Sequence, residues 1–108
     1  MKKTGMTIVL LVALTVPAVA ADQPSLARGK ELFESVTLGT SGKSCAGCHP
    51  GGKKLEAVAG YDEEQLGEII NQCITKPLRG RALEPAAPDM KSLIMYLRTF
   101  AKRGEMTR

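Results

Sequence analysis

Two thiols and an imidazole fall within five residues in the stretch Cys45-Ala46-Gly47-Cys48-His49, in a chain that holds three cysteines and one histidine in all. Three chemistries use Cys and His at such close spacing: thioether attachment of haem, tetrahedral zinc, and a redox-active dithiol. Structural zinc takes four ligands, commonly as two pairs. Only Cys73 remains to join Cys45, Cys48 and His49, so a Cys3His site is arithmetically possible but lacks its second pair. A redox Cys-x-x-Cys pair belongs at the start of a helix that follows a strand of a βαβ unit, and no alternating Val/Ile-rich strand pattern occurs beyond the N-terminal region. Haem attachment asks for what is present: two thiols to add across two vinyl groups, and an adjacent imidazole to reach the iron from the same side. The spacing points to one covalent haem c, with Cys45 and Cys48 as its thioether residues and His49 as the proximal iron ligand.

The N-terminal twenty residues, MKKTGMTIVLLVALTVPAVA, set the expected compartment. Lys2 and Lys3 precede an apolar stretch from Met6 to Val16, then Pro17 and an Ala-x-Ala site at Ala18-Val19-Ala20, the pattern of a secretory signal peptide. The apolar stretch is shorter than the roughly 20 residues that a spanning helix needs. Cleavage is expected after Ala20, and no cysteine follows directly to carry a lipid. Residues 21–108 are then expected as one exported, soluble, periplasmic domain.

A domain of that size is close to the limit at which side chains alone build a sufficient core. The chain has no Trp, two Phe and two Tyr, so a bulky apolar cofactor would supply much of the missing volume. The formal net charge is +4. Loss of Lys2 and Lys3 leaves a nearly balanced surface, which argues against a nucleic-acid or membrane partner.

The elements that must position CAGCH are helical. In SLARGKELFESV, Leu26, Gly29, Leu32 or Phe33, and Val36 recur at helical spacing, with Ser25 able to cap the start. Gly29 costs a helix interior about 1 kcal/mol relative to Ala, so a second helix is expected to pack closely against it. Glycine-rich loops, TLGTSGKS before the motif and HPGGKK after it, confine CAGCH to a very short helix. Asp62, three residues before Gln65, gives a capping-box pattern for a helix from Asp62 to about Ile74, along which Leu66, Ile69, Ile70 and Cys73 form one stripe. Pro77, Gly80, Pro85 and Pro88 mark an extended loop, with Leu78 and Leu83 expected to cover the cofactor's edge. The last helix is expected to be capped by Asp89 and stopped by Gly104, with Met90, Leu93, Ile94, Tyr96, Leu97 and Phe100 on a broad apolar face. The fold class is all-α.

With CAGCH near its start, Gly29 and Phe33 in the first helix and Tyr96 and Leu97 in the last, the segment from Ala27 to Phe100 resembles a class I monohaem cytochrome c. The resemblance implies a small helical domain wrapped around one haem, with the first and last helices crossing at Gly29 and Tyr96. It also implies a distal Met presented from a loop ahead of the last helix, but the corresponding loop here, ITKPLRGRALEP, contains no Met. A second stretch, INQCITKPLRGRALEPAAPDMKSLIMYL, is similar to a segment of thiosulfate dehydrogenase and of the sulfur-oxidation haem subunits. In the dehydrogenase, the cysteine of the corresponding helix binds the iron, and that similarity makes Cys73 a candidate.

The sixth iron position therefore has three candidate states. Met90, at the start of the last helix, is the preferred ligand, since Met6 lies in the signal, Met106 in the tail, and Met95 reads as packing. Cys73 is the alternative; a neutral thioether raises the potential, whereas a thiolate favours ferric iron and lowers it. The third state is an open iron, with Asn71 as a displaceable ligand. The expected function is a monomeric electron carrier, not an enzyme, that passes single electrons between redox protein partners. Its haem edge would be ringed by Lys43, Lys53, Lys54, Lys76, Arg79 and Arg81. The rival is a small-ligand sensor or a haem subunit of a sulfur-oxidising enzyme.

Overall fold

The computed structural model describes residues 5, 8–13 and 23–106. The cleavage position after Ala20 lies outside the described residues. No helix among the described residues is long and apolar enough to cross a membrane.

Among the described residues, four helices and two short 3₁₀ segments follow one another: α1 (Leu26–Glu34), α2 (Cys45–Cys48), the 3₁₀ segments Pro50–Gly52 and Glu56–Gly60, α3 (Glu63–Thr75) and α4 (Pro88–Met106). Among the described residues there is no strand, and the fold is all-α with one isolated bridge, between Gly39 and Gly80.

Helix α1 starts at its cap: Arg28 N–H donates to Ser25 Oγ at 3.0 Å. It buries Gly29, Leu32 and Phe33 and ends at Glu34. Leu26 and Val36, expected on the same apolar stripe, are instead exposed at 49% and 54%; one sits on the outer side of the first turn, the other past the helix end. The buried face crosses α4 where Gly29 permits it. A Cβ at Gly29 would run into the Ser92 carbonyl oxygen and stand 2.7 Å from Tyr96 Cβ, so the two backbones meet only because that side chain is missing. Around the crossing, Phe33, Tyr96 and Phe100 form a triad of rings with centroids 5.1 to 5.4 Å apart.

The start of α4 differs from the expectation. The helix begins at Pro88, which places Asp89 in its first turn; proline is preorganised for that position because its missing N–H has no intrahelical partner to lose. Asp89 is engaged elsewhere, accepting two bonds from Arg28, Nε to Oδ1 at 2.9 Å and NH2 to Oδ2 at 3.1 Å. Beside it, buried Ser92 accepts from Ser25 N–H at 3.0 Å and donates to the Pro88 carbonyl at 2.8 Å. Gly104 does not stop the helix, which runs on to Met106.

Helix α3 has the capping box that its sequence predicts: Gln65 N–H donates to Asp62 Oδ1 at 2.8 Å, and Asp62 N–H donates to Gln65 Oε1 at 3.1 Å. Its buried residues are Leu66, Gly67, Ile70 and Ile74. Leu66, Ile70 and Ile74 join Leu32, Phe33, Val58, Leu78, Leu93, Leu97 and Phe100 in a single core.

Candidate functional site

The core is split by a cleft that begins at the CAGCH segment. Ser44, buried, caps α2 by accepting from Gly47 N–H at 3.0 Å, which holds Cys45 and Cys48 on consecutive turns of backbone. His49 closes the helix, its N–H donating to the Cys45 carbonyl at 2.8 Å. The chain then folds back on itself through the turn Pro50–Gly52. Gly52 has φ +80, and a Cβ there would lie within the ring of Phe100. This return brings the Lys53 carbonyl 2.9 Å from His49 Nδ1. A carbonyl only accepts, so Nδ1 must carry the proton and the Nε2 lone pair is free to bind a metal. Such a bond also fixes the plane of the ring, which is how metal-binding histidines are generally oriented.

The cleft is lined by Cys45, Cys48 and His49 on one side and by Leu66, Ile69, Ile70 and Cys73 of α3 on another, with Leu55, Val58, Pro77, Leu78, Leu93 and Leu97 completing the walls. Its cavity volume is about 100 Å³, below the roughly 300–1,000 Å³ of sites that bury a drug-sized ligand. The stripe read from the sequence of α3 is therefore a cleft wall, and Cys73 is on it. All three thiols are free. Burial, and then the charge of Cys73, push the Cys45 thiol up from its ordinary range. Burial, and then the charge of Cys48, push Cys73 up. The sulfurs sense one another across an apolar space.

The zinc reading asks for convergence of these four groups. Among the described residues, no set of three or more His, Cys, Asp or Glu side chains is placed to share a metal ion. Cys45, Cys48 and His49 line one side of the cleft and Cys73 another.

Met90 is elsewhere. It is fully buried, but it lies against the other side of α3, where its Sδ is 3.8 Å from the position a Gly67 Cβ would take. It lines a separate groove with Glu63, Glu64, Glu68 and Asn71, and no methionine lines the cleft. Met95 is 41% exposed on α4. Asn71 is already committed, since its Nδ2 donates to the Leu83 carbonyl at 2.9 Å and its Oδ1 accepts from Leu83 N–H at 2.8 Å. Leu78 lines the cleft, whereas Leu83 does not.

Sequence reasoning missed the Lys53 carbonyl and the Asn71 bonds. Both involve backbone groups, which carry no side-chain signature. The paired glycines Gly51 and Gly52 were the available sign of a sharp return after His49, with φ +62 and +80.

Next to the cleft, and sharing Pro77 with it, lies a shallow groove lined by Thr40, Ser41, Lys43, Lys76 and Arg79. Among the described residues, ion pairs involve Arg28 alone, so these three cations have no carboxylate partner. Lys53, Lys54 and Arg81 are exposed nearby in sequence. No family model, curated protein or solved structure matches the chain.

Proposed function

We propose that the chain is an exported monohaem c-type cytochrome that carries single electrons between redox proteins, with Cys73 in the role expected of Met90. The observation that supports this reading is the cleft itself. Two thiols, an imidazole with a free Nε2, and a third thiol on another wall surround an apolar space. Cys45 and Cys48 would hold the haem through thioethers, His49 Nε2 would be the proximal ligand and Cys73 Sγ the sixth. A haem held there would supply a centre that takes up and releases one electron.

The chain's own groups do the rest. The Lys53 carbonyl keeps His49 oriented and strengthens it as a donor. The leucine and isoleucine walls exclude water and lower the local dielectric, which penalises any uncompensated charge. Cys73, as a thiolate, would compensate the charge of ferric iron and lower the potential. Lys43, Lys76 and Arg79 present positive charge beside the cleft mouth, which steers an acidic redox partner to that edge.

A spectrum of the haem-loaded protein, oxidised and reduced, with and without CO, tests this. Thiolate-type bands in the oxidised form that disappear in Cys73→Ser would support it. Bands unaffected by Cys73→Ser but lost in Met90→Leu would return the ligand to Met90. Failure to attach haem in a host competent for cytochrome c maturation would overturn the reading altogether. A second reading, as the haem subunit of a sulfur-oxidising enzyme, is favoured by one observation: Cys73 lies on the cleft wall. Reduction of the purified protein by thiosulfate without a partner would decide for it.

A further inference from the structure

The segment after α3 does not leave the helix as a free loop. It hooks back over the helix end. Leu78 N–H donates to the Cys73 carbonyl at 3.2 Å, and Gly80 N–H donates to the Ile74 carbonyl at 2.7 Å. From outside, Ser41 N–H donates to the Leu78 carbonyl at 3.1 Å, and Thr40 Oγ1 donates to the Arg79 carbonyl at 2.9 Å. Arg79 sits at φ +54, a conformation that a side-chain-bearing residue holds only when its surroundings impose it. Pro77 and Leu78, at the bend, line the cleft beside Cys73.

One side chain closes the far end of this hook. Asn71 lies two residues before Cys73 on the same helix, and its amide pairs with both backbone groups of Leu83, donating at 2.9 Å and accepting at 2.8 Å. Both bonds are partly shielded from water. An amide matches this pattern because it carries one donor and one acceptor side by side; aspartate has no donor for the Leu83 carbonyl, and leucine has neither.

We infer that Asn71 is the positioning residue of the distal wall: it anchors the hook of residues 76–83 to α3 and so holds Pro77, Leu78 and the Cys73 turn against the cleft. That the wall faces the sixth iron position rests on the function proposed above; the anchoring itself does not.

The test compares the haem-attached chain with Asn71→Ala, with the milder Asn71→Asp, and with Arg28→Gln, which breaks the Arg28–Asp89 pair joining α1 to α4 without touching a hook hydrogen bond. Two readouts are taken, amide hydrogen exchange at Leu78, Gly80 and Leu83, and the rate at which the reduced protein captures CO. Expected for Asn71→Ala is exchange faster by roughly tenfold at all three amides, as loss of two shielded bonds implies. CO capture should accelerate by a similar factor, while Arg28→Gln leaves both unchanged. Asn71→Asp should change in the same direction, so the idea stays testable if the alanine variant does not fold. Faster exchange at Leu83 alone would overturn the inference, because Leu78 and Gly80 do not bond Asn71 directly. Equal acceleration in Arg28→Gln would overturn it too, by tracing the effect to general destabilisation. If the chain attaches no haem, the electron-carrier reading fails while the exchange data still decide the anchoring.

Discussion

At the scale of single residues, the proposed chemistry rests on which sulfur faces the cleft. Cys73→Ser is expected to lose thiolate-type bands and raise the reduction potential of the haem-loaded protein, while Met90→Leu changes neither and costs under about 1.5 kcal/mol, as a volume-conserving core exchange. Potentiometry and thermal melts of the two variants check this. The thiols also make a pH prediction for the haem-free chain. Burial raises Cys45 and Cys73 in the folded state, so just above the ordinary thiol range, about 8.5, the folded chain holds more protons than the unfolded one. Their contribution to stability is complete below that range and is lost as pH rises from it through the raised folded-state values. Denaturant melts at rising pH should show falling midpoints, and a Cys45→Ser, Cys73→Ser double variant should remove most of that slope. The very short helix that carries Cys45 and Cys48 was legible because the glycine-rich segments that bound it adjoin it in sequence. Met90 was not. Its sequence position, at the start of a helix, says nothing about which of two neighbouring spaces its side chain enters, and Gly67, against which it packs, was the unheeded sign.

At the scale of elements, the helices were legible where local rules set them. Ser25 and Asp62 cap α1 and α3, and both caps follow from residue type and spacing. Asp62→Ala should cost about 1 kcal/mol, read by denaturant unfolding. Asp89 shows the limit of such rules. It has the right type for a cap, but Pro88 starts the helix first and Arg28 claims the carboxylate. The pair is half exposed, at 39% and 37%, so its loss should cost no more than about 1 kcal/mol. Gly29 is the stronger constraint. Gly29→Ala would drive a methyl group into the Ser92 carbonyl, and about 1–3 kcal/mol of destabilisation is expected, with the near-UV signal of the Phe33, Tyr96 and Phe100 triad altered. A helix-propensity argument alone gives the opposite sign, since alanine is the better helix former by about 1 kcal/mol. The loop after α3 was legible as a loop but not as a hook, because Asn71 and Leu83 are twelve positions apart and no periodicity links them.

At the scale of the whole molecule, charge is distributed unevenly around the cleft. Lys43, Lys76 and Arg79 share one groove beside it, while Glu63, Glu64 and Glu68 line the groove on the Met90 side of α3. Electron transfer with an acidic partner should therefore slow as salt rises. Lys43→Ala, Lys76→Ala and Arg79→Ala combined should lower the association rate at low ionic strength and flatten its salt dependence, with little change in potential; stopped-flow kinetics would measure both.

The crossing of α1 with α4 also bears on how the chain matures. Ser25 bonds Ser92 across 67 positions, Leu93 and Leu97 complete the cleft wall, and the Phe100 ring occupies the space above Gly52. A chain emerging from its N-terminus exposes both motif thiols well before any of these partners exists. Under the proposed function, thioether formation would be open to an unfolded chain, whereas the bond from His49 to the Lys53 carbonyl gains its support only when Phe100 of the last helix packs over Gly52. Covalent capture first and ring alignment last would then be the order that this topology favours.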